Sequence, residues 1–539
     1  MDSASQFAVL NDPLSNQGTA FTEEQRYSFG LEGLLPSGVD TLERQIERVL
    51  GQLEAKPNDL ERYVYLQDLV ERNQTLFYAT LMSDPARFIP IVYDPTIADA
   101  CLGYGHLFRR PQGMYLNKRM KNHFATVLKN WPNKEVRFIC VTSGGRILGL
   151  GDIGVNGAPI PIGKLQLYTA CAGVPPEVLL PIHLDIGTSN AALRADPLYL
   201  GLREAPPTPD EVDSIVDAFM EAANEVFPGV CVHFEDWKGS DAIRLLHRYQ
   251  DKYLVYNDDI QGTASVALAG LITALQIKKE ALSDQRILFA GAGSAGIGIA
   301  NMMVEAMVQQ GLGEAEARTK ITMFDENGLL ITSRKDLSES QKVYARQDKP
   351  MRRLEDAVKH VKPTILIGVS TVGGLFTEGV VKAMYAKCDR PIIFPLSNPT
   401  DHAEATAEQI YKWTNGAALV AAGVQFDDVM MNAKKFHPGQ ANNFYIFPAV
   451  GMAVYATRPK RITDATFIAA AHGSADQVSQ SDRKHGMLFP RQDSILETEI
   501  TTAARVAEFI FDQGDATVER PEDIRAWIES MVYNPKYSA

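Results

Sequence analysis

Two short acidic clusters stand where strands should end. Val230–Phe234 has the apolar, β-branched character of a buried strand and runs into Glu235-Asp236. Tyr253–Tyr256 does the same and runs into Asn257-Asp258-Asp259. Between them Ile243, Leu245, Leu246 and Tyr249 recur at helical spacing. A strand-helix-strand unit crosses over right-handed and leaves its strands parallel. Both clusters are therefore expected at one carboxyl edge, where open α/β sheets bind ligands. Four carboxylates gathered there repel unless a divalent cation neutralises them, and all-oxygen coordination suits Mg²⁺ or Mn²⁺. Neighbours in a regular strand face opposite ways, so Glu235 and Asp236 can share an ion only where the strand breaks. The plainer alternative is that strand ends are polar and solvated.

A second chemistry lies further along. Arg286–Ala290 is a short apolar strand that leads into Gly291-Ala292-Gly293-Ser294-Ala295-Gly296. Ile297, Ala300, Val304, Met307 and Val308 then keep helical spacing as far as Gly311. Glycines at that spacing let the backbone approach a pyrophosphate, and the helix N-terminus supplies N–H donors; a merely tight strand-helix turn is the alternative. The next strand, Ile321–Phe324, ends in Asp325, which can accept from a ribose 2′-hydroxyl. It comes 29 residues after Gly296, beyond the usual spacing of about 20, a gap assigned to a longer helix and its Gly-Leu-Gly loop. Glu326 follows, so a 2′-phosphate would meet two carboxylates, which favours NAD. Lys342 offers a cation that would serve NADP instead.

Three further residues could act on a bound acid. Lys164 follows Pro161-Ile162-Gly163 and is read as opening an apolar helix. Positive potential at a helix N-terminus and a nearby dication both lower a lysine pKa, as a general base near neutral pH requires. A solvated surface lysine is the commoner case. Arg146, after Ser143-Gly144-Gly145, is expected to open a strand Ile147–Leu150; it could fork onto a carboxylate or form a surface ion pair. Tyr93 reads as a core aromatic with a bonded hydroxyl.

These residues need several elements to position them. With 539 residues, the chain predicts three or four domains at roughly 150 residues each. Residues 1–111 read as helical, with Thr22-Glu23-Glu24-Gln25 as a capping box and a long polar-apolar alternation from Asp40 to Leu81. After Glu135, short β-branched runs such as Val136–Val141 alternate with helical stretches, an α/β signature. A second such unit begins near Ala281 and runs to about Gly439. The 53 basic against 66 acidic residues give a net charge of −13, a poor balance for binding nucleic acid or an anionic membrane. The five cysteines, Cys101, Cys140, Cys171, Cys231 and Cys388, form no CxxC pair and suit a reducing compartment as small buried hydrophobes. No run of about 18 apolar residues is evident. Met1–Gln6 lacks the basic start of a secretory signal. A cytoplasmic protein is expected.

The motifs together resemble one family. Phe234-Glu235-Asp236, Asn257-Asp258-Asp259-Ile260-Gln261-Gly262-Thr263 and Leu396-Ser397-Asn398-Pro399-Thr400 are similar to those of malic enzymes. So are Gly151-Asp152, Gly163-Lys164-Leu165, Asp185-Ile186-Gly187-Thr188, Asp196-Pro197-Leu198-Tyr199-Leu200-Gly201 and Gly439-Gln440-Ala441-Asn442-Asn443. The similarity runs in order from Asn11-Asp12-Pro13 nearly to the C-terminus. It implies oxidative decarboxylation of L-malate to pyruvate and CO₂ with NAD(P)⁺ and Mn²⁺ or Mg²⁺, in a homodimer or homotetramer. It also implies a role for each matching residue. Glu235, Asp236 and Asp259 would be metal ligands, Lys164 the general base paired with Asp258, and Tyr93 the general acid. Arg146, Asn398 and Asn443 would hold substrate, with Asn398 also facing the cofactor and Asn442 near the nicotinamide ribose. The implied fold is α/β: a helical N-terminal domain (1–111), a parallel-sheet catalytic domain in two parts (112–257 and 443–515), an inserted Rossmann-type domain (258–442), and a C-terminal helix and tail (516–539). Arg72 matches a position that contributes to fumarate activation in some members.

Two positions depart from the commonest malic-enzyme pattern. Asp94 stands where a threonine usually follows the tyrosine, and Gly239 where many members carry asparagine. Tyr93-Asp94-Pro95 and Gly151-Asp152-Ile153-Gly154-Val155-Asn156-Gly157 look closer to malolactic enzymes, which retain NADH and release lactate. Gly439–Phe444 and Phe108-Arg109-Arg110-Pro111 side with malic enzymes. A catalytically silent sensor would lack Lys164, Tyr93 or a metal ligand, and all are present.

Overall fold

The N-terminal helices start where the side chains can cap them. In the computed structural model, which describes residues 8–147 and 149–537, Thr22 and Gln25 close the expected capping box. Thr22 Oγ1 accepts from Gln25 N at 3.2 Å and Gln25 Oε1 from Thr22 N at 3.0 Å, opening α1 (Glu23–Phe29). The alternation from Asp40 resolves into α2 (Leu42–Glu54), α3 (Asp59–Val70) and α4 (Gln74–Ser83), each opened by a polar cap at Thr41, Asn58 or Asn73. α5 (Pro85–Val92) follows with proline in its first turn. The N-terminal hexapeptide read for a leader lies outside the described residues.

The chain divides into two compact units. One holds the chain as far as Trp237, Gln492–Leu496 and the chain from Glu529; the other holds Lys238–Arg491 and Glu497–Ile528. In the first, β1 (Met114–Asn117), β2 (Phe138–Thr142), β3 (Leu179–Asp185) and β4 (Cys231–Glu235) pair in parallel in the order β1-β3-β2-β4. Every residue of β2, β3 and β4 is buried, as expected of a parallel sheet covered on both faces. α6 (Pro159–Ala172) is buried along its whole length and packs on β2 and β3. None of the five cysteines is in a disulfide. Burial pushes the Cys101 and Cys231 thiols up, with the Asp236 carboxylate adding to the effect at Cys101. Neither is therefore a nucleophile.

After a first helix, Gly239–Tyr249, the second unit has a short strand, β5 (Val255–Asn257), a wide π-helical turn at Asp258–Gly262 and α7 (Thr263–Lys278). Its sheet contains β6 (Ile287–Ala290), β7 (Ile321–Asp325), β8 (Gly328–Leu329), β9 (Ile365–Gly368), β10 (Ile392–Pro395) and β11 (Leu419–Ala422). After the hairpin β12 (Val429–Met431)/β13 (Lys434–Phe436) comes its last strand, β14 (Gly439–Gln440). The order is β14-β11-β10-β9-β6-β7-β8, parallel except for β8. This is the Rossmann-type sheet, and α8 (Ser294–Gln309) follows β6 directly.

Three expectations are corrected. Ile147–Leu150 is not a strand: Gly149 and Gly151 lie at φ 74°, and the chain turns back so that Ile147 and Gly151 exchange two 2.9 Å hydrogen bonds. Leu148 itself is outside the described residues. The extra distance between Gly296 and Asp325 is taken up by a separate helix, Glu314–Thr319, as well as by the length of α8. Asp258–Lys278 is long and apolar enough, by length and composition alone, to cross a membrane. Most of it is buried within its own unit, where α7 packs against α8 and α9 (Asp464–Asp476).

Candidate active site

In the first unit, the sequence periods of a helix and a strand bring the chemistry together. Lys164 lies in the second turn of α6, not at its start, because the helix begins at Pro159. The N-terminal field fades within the first turn, so the helix does little to its charge. Its side chain is 2% exposed and meets Glu235 Oε1 at 3.0 Å. Burial favours the neutral amine, and the facing carboxylate favours the ammonium. Lys164 Nζ also stands 5.2 Å from the centroid of the Tyr93 ring. Gly163 permits that approach: a Cβ there would lie 3.2 Å from Tyr93 Cδ2 and 2.9 Å from Ile97 Cδ1.

β4 ends on Glu235, and Asp236 takes a left-handed φ of 54°. The strand therefore breaks where two adjacent carboxylates need it to. Both residues are buried, and an oxygen of one lies within 4.8 Å of an oxygen of the other. Two hard, buried oxygen donors side by side are the kind of ligand that Mg²⁺ or Mn²⁺ takes. Asp236 O accepts from Arg146 N at 3.2 Å, while the Arg146 side chain is exposed. Tyr93, Arg146, Lys164, Glu235 and Asp236 are thus joined by direct contacts or chain adjacency. Loops nearby are tied by acids that the family motifs contain. Asp152 accepts from Thr188 Oγ1 at 2.6 Å and Ser189 N at 2.7 Å, and Asp185 accepts from Gly187 N at 2.9 Å and Leu202 N at 2.6 Å.

Sequence reasoning missed a neighbour of Glu235, His233, and the tyrosine behind it. His233 Nε2 lies 2.7 Å from Glu235 Oε2, and His233 Nδ1 lies 3.0 Å from the Tyr168 hydroxyl. The signal was there: Tyr168 is one turn beyond Lys164, and His233 is two residues before Glu235.

In the second unit, the three loop glycines divide their work. Gly291 has φ 116°, and a Cβ on it would sit 2.4 Å from Val369 O. A Cβ on Gly296 would sit 2.5 Å from Gly291 O, whereas Gly293 faces open space. Tight turn, close packing and an open approach for pyrophosphate are what a dinucleotide loop requires. Ser294 and Ala295 supply the first-turn N–H groups of α8. Asp325 is gripped by Arg334, Nη1 to Oδ1 at 2.8 Å and Nη2 to Oδ2 at 2.7 Å, and Arg334 Nη2 also reaches Asp336 Oδ2 at 2.6 Å. Lys342 is paired with Glu339, and the neighbouring Gln341 donates to Ala292 O of the glycine loop at 3.0 Å.

Asp258, fully buried, accepts from Asn443 Nδ2 at 2.9 Å, and the same amide lies 3.2 Å from Thr263 Oγ1. Asp259 is half-buried in the π-helical turn. Asn398 follows β10, and Asn442 caps the short turn Asn443–Tyr445. Glu404 was not anticipated. Buried below, it accepts from Ser370 N (2.8 Å), Ser370 Oγ (2.7 Å) and Ser397 Oγ (2.6 Å), and so clamps the loops after β9 and β10.

A Rossmann-type unit inserted into a parallel-sheet unit that carries a buried lysine-carboxylate cluster defines a nucleotide-dependent dehydrogenase acting on a small polar substrate. Residues 70–250 match the malic enzyme N-terminal domain, and residues 260–511 match the malic enzyme NAD binding domain. The NADP-dependent malic enzyme of Anas platyrhynchos is 45% identical over 536 residues, covering 99% of this chain and 96% of its own. That of Homo sapiens is 43% identical over 534 residues, covering 98% and 93%. The crystal structure of Entamoeba histolytica malic enzyme shares the fold at TM-score 0.59 and 21% identity, over 93% of this chain and 90% of that one. The chain belongs to the malic enzyme family, the NAD(P)-dependent decarboxylating malate dehydrogenases.

Proposed function

We propose that the chain oxidises and decarboxylates L-malate to pyruvate and CO₂ with NAD⁺ as the preferred acceptor, Lys164 serving as general base and Tyr93 as general acid. The observation that carries the assignment is the buried Lys164–Glu235 pair with Tyr93 against it. Glu235, Asp236 and Asp259 are the carboxylates that the family match assigns to Mn²⁺ or Mg²⁺. Arg146, Asn398 and Asn443 are assigned to the malate carboxylates, and Asn442 to the nicotinamide ribose. When bound, the metal supplies Lewis acidity at the C2 oxygen, and the nicotinamide supplies the hydride acceptor. Lys164 takes the C2 hydroxyl proton, Asp258 shares it, and Tyr93 returns a proton to C3 after CO₂ has left. The residues around them hold charge and exclude water.

Support for NAD⁺ comes from charge at the end of β7. Asp325 and the exposed Glu326 stand there, Arg334 is divided between Asp325 and Asp336, and Gln341 is neutral. The relatives above are named for NADP, so the choice is tested directly by kcat/KM for each nucleotide with L-malate and Mn²⁺. A higher value for NAD⁺ is expected, and a higher value for NADP⁺ overturns the preference. Asp325→Ala, which releases Arg334 toward a 2′-phosphate, should raise the NADP⁺/NAD⁺ ratio at least about tenfold, the worth of one charge-assisted contact. We also place the protein in the cytoplasm, as a homodimer or homotetramer.

A further inference from the structure

Helix and strand repeats match across the first unit. Lys164 and Tyr168 are four residues apart on α6, a rise of about 6 Å, and Glu235 and His233 are two apart on β4, a rise of about 6.6 Å. The two pairs therefore meet rung for rung: Lys164 with Glu235 Oε1 at 3.0 Å, Tyr168 hydroxyl with His233 Nδ1 at 3.0 Å. His233 Nε2 closes the ladder on Glu235 Oε2 at 2.7 Å. Tyr168 and His233 are wholly buried.

We infer that His233, held by Tyr168, is a positioning residue that fixes the Glu235 carboxylate for the divalent ion and for Lys164. The inference rests on the reading of Glu235 as a metal ligand. When the tyrosine donates its O–H to Nδ1, the imidazole is set in the tautomer whose Nε2–H donates to Oε2. That bond stops the carboxylate from rotating. It leaves Oε1 toward the lysine, with a lone pair on each oxygen still to offer. A buried carboxylate held in this way loses little freedom when it takes up a cation, which is how partners behind a ligand raise metal affinity.

The test is Mn²⁺ binding to the full chain without malate or nucleotide, read from the electron paramagnetic resonance signal of the free ion. His233→Leu should weaken Mn²⁺ about 10- to 100-fold. His233→Gln, whose amide can donate from the place of Nε2, should recover most of that loss. Tyr168→Phe should weaken Mn²⁺ in the same direction, and it carries the test if His233→Leu does not fold. Melting temperature and NADH binding check that each variant is folded. A folded His233→Leu with wild-type Mn²⁺ affinity, or a His233→Gln as impaired as the leucine, overturns the inference. Glu235→Gln separates the two levels. If it too leaves Mn²⁺ affinity unchanged, the ligand reading fails and the positioning role falls with it. If it weakens Mn²⁺ while folded His233→Leu does not, the positioning role alone is wrong.

Discussion

Lys164→Ala is expected to lower kcat for malate oxidation by about a thousandfold or more while NADH binding stays intact. The size is that of a lost general base. The separation of effects follows from the fold: Lys164 sits on α6 of the first unit, while the glycine loop and α8 belong to the second. The substitution also strips the ammonium from Glu235 Oε1 but leaves the His233 contact to Oε2. The carboxylate is thus not orphaned, and the variant should fold. Rate measurements with saturating malate, beside fluorescence titration with NADH, give both quantities. Loss of turnover and NADH binding together would indicate misfolding, and retained turnover would remove Lys164 from the base role.

Asp259→Asn should weaken Mn²⁺ at least about tenfold, because an amide keeps the oxygen but removes one of the charges that set affinity for a hard dication. Asp259 suits this experiment. It is half-buried in the π-helical turn, where Asn257 Oδ1 accepts from Ile260 N at 3.1 Å and Gln261 Oε1 from Asn257 N at 3.1 Å. The turn is therefore held by other side chains, and the amide should leave it in place. Titration of Mn²⁺ reads the effect, and unchanged affinity would remove Asp259 from the ligand set.

The glycine loop was legible as a strand-turn-helix motif open to close backbone approach. The division of labour, in which Gly291 turns, Gly293 opens and Gly296 packs, depends on neighbours such as Val369 that the motif does not show. The break after Glu235 was also legible as a condition, since strand alternation forbids adjacent ligands otherwise, and Asp236 meets it with a left-handed backbone. Position within a helix was not. Pro159 and Pro161 hid the true start of α6, since a proline is as welcome in a first turn as before one. Lys164 was consequently credited with an N-terminal field that it lies beyond. The run Ile147–Leu150 looked like a strand because its residues are apolar, but the glycines at 149 and 151 decide its course. Side-chain partners from distant segments, such as Glu404 with Ser370 and Ser397, leave no local pattern to read.

The reaction itself is tested most directly by product balance. Purified protein with L-malate, Mn²⁺ and NAD⁺ should form NADH and pyruvate in equal amounts, with lactate absent. Lactate without accumulating NADH would contradict net oxidation, identify a malolactic outcome and make Asp94 the first residue to exchange.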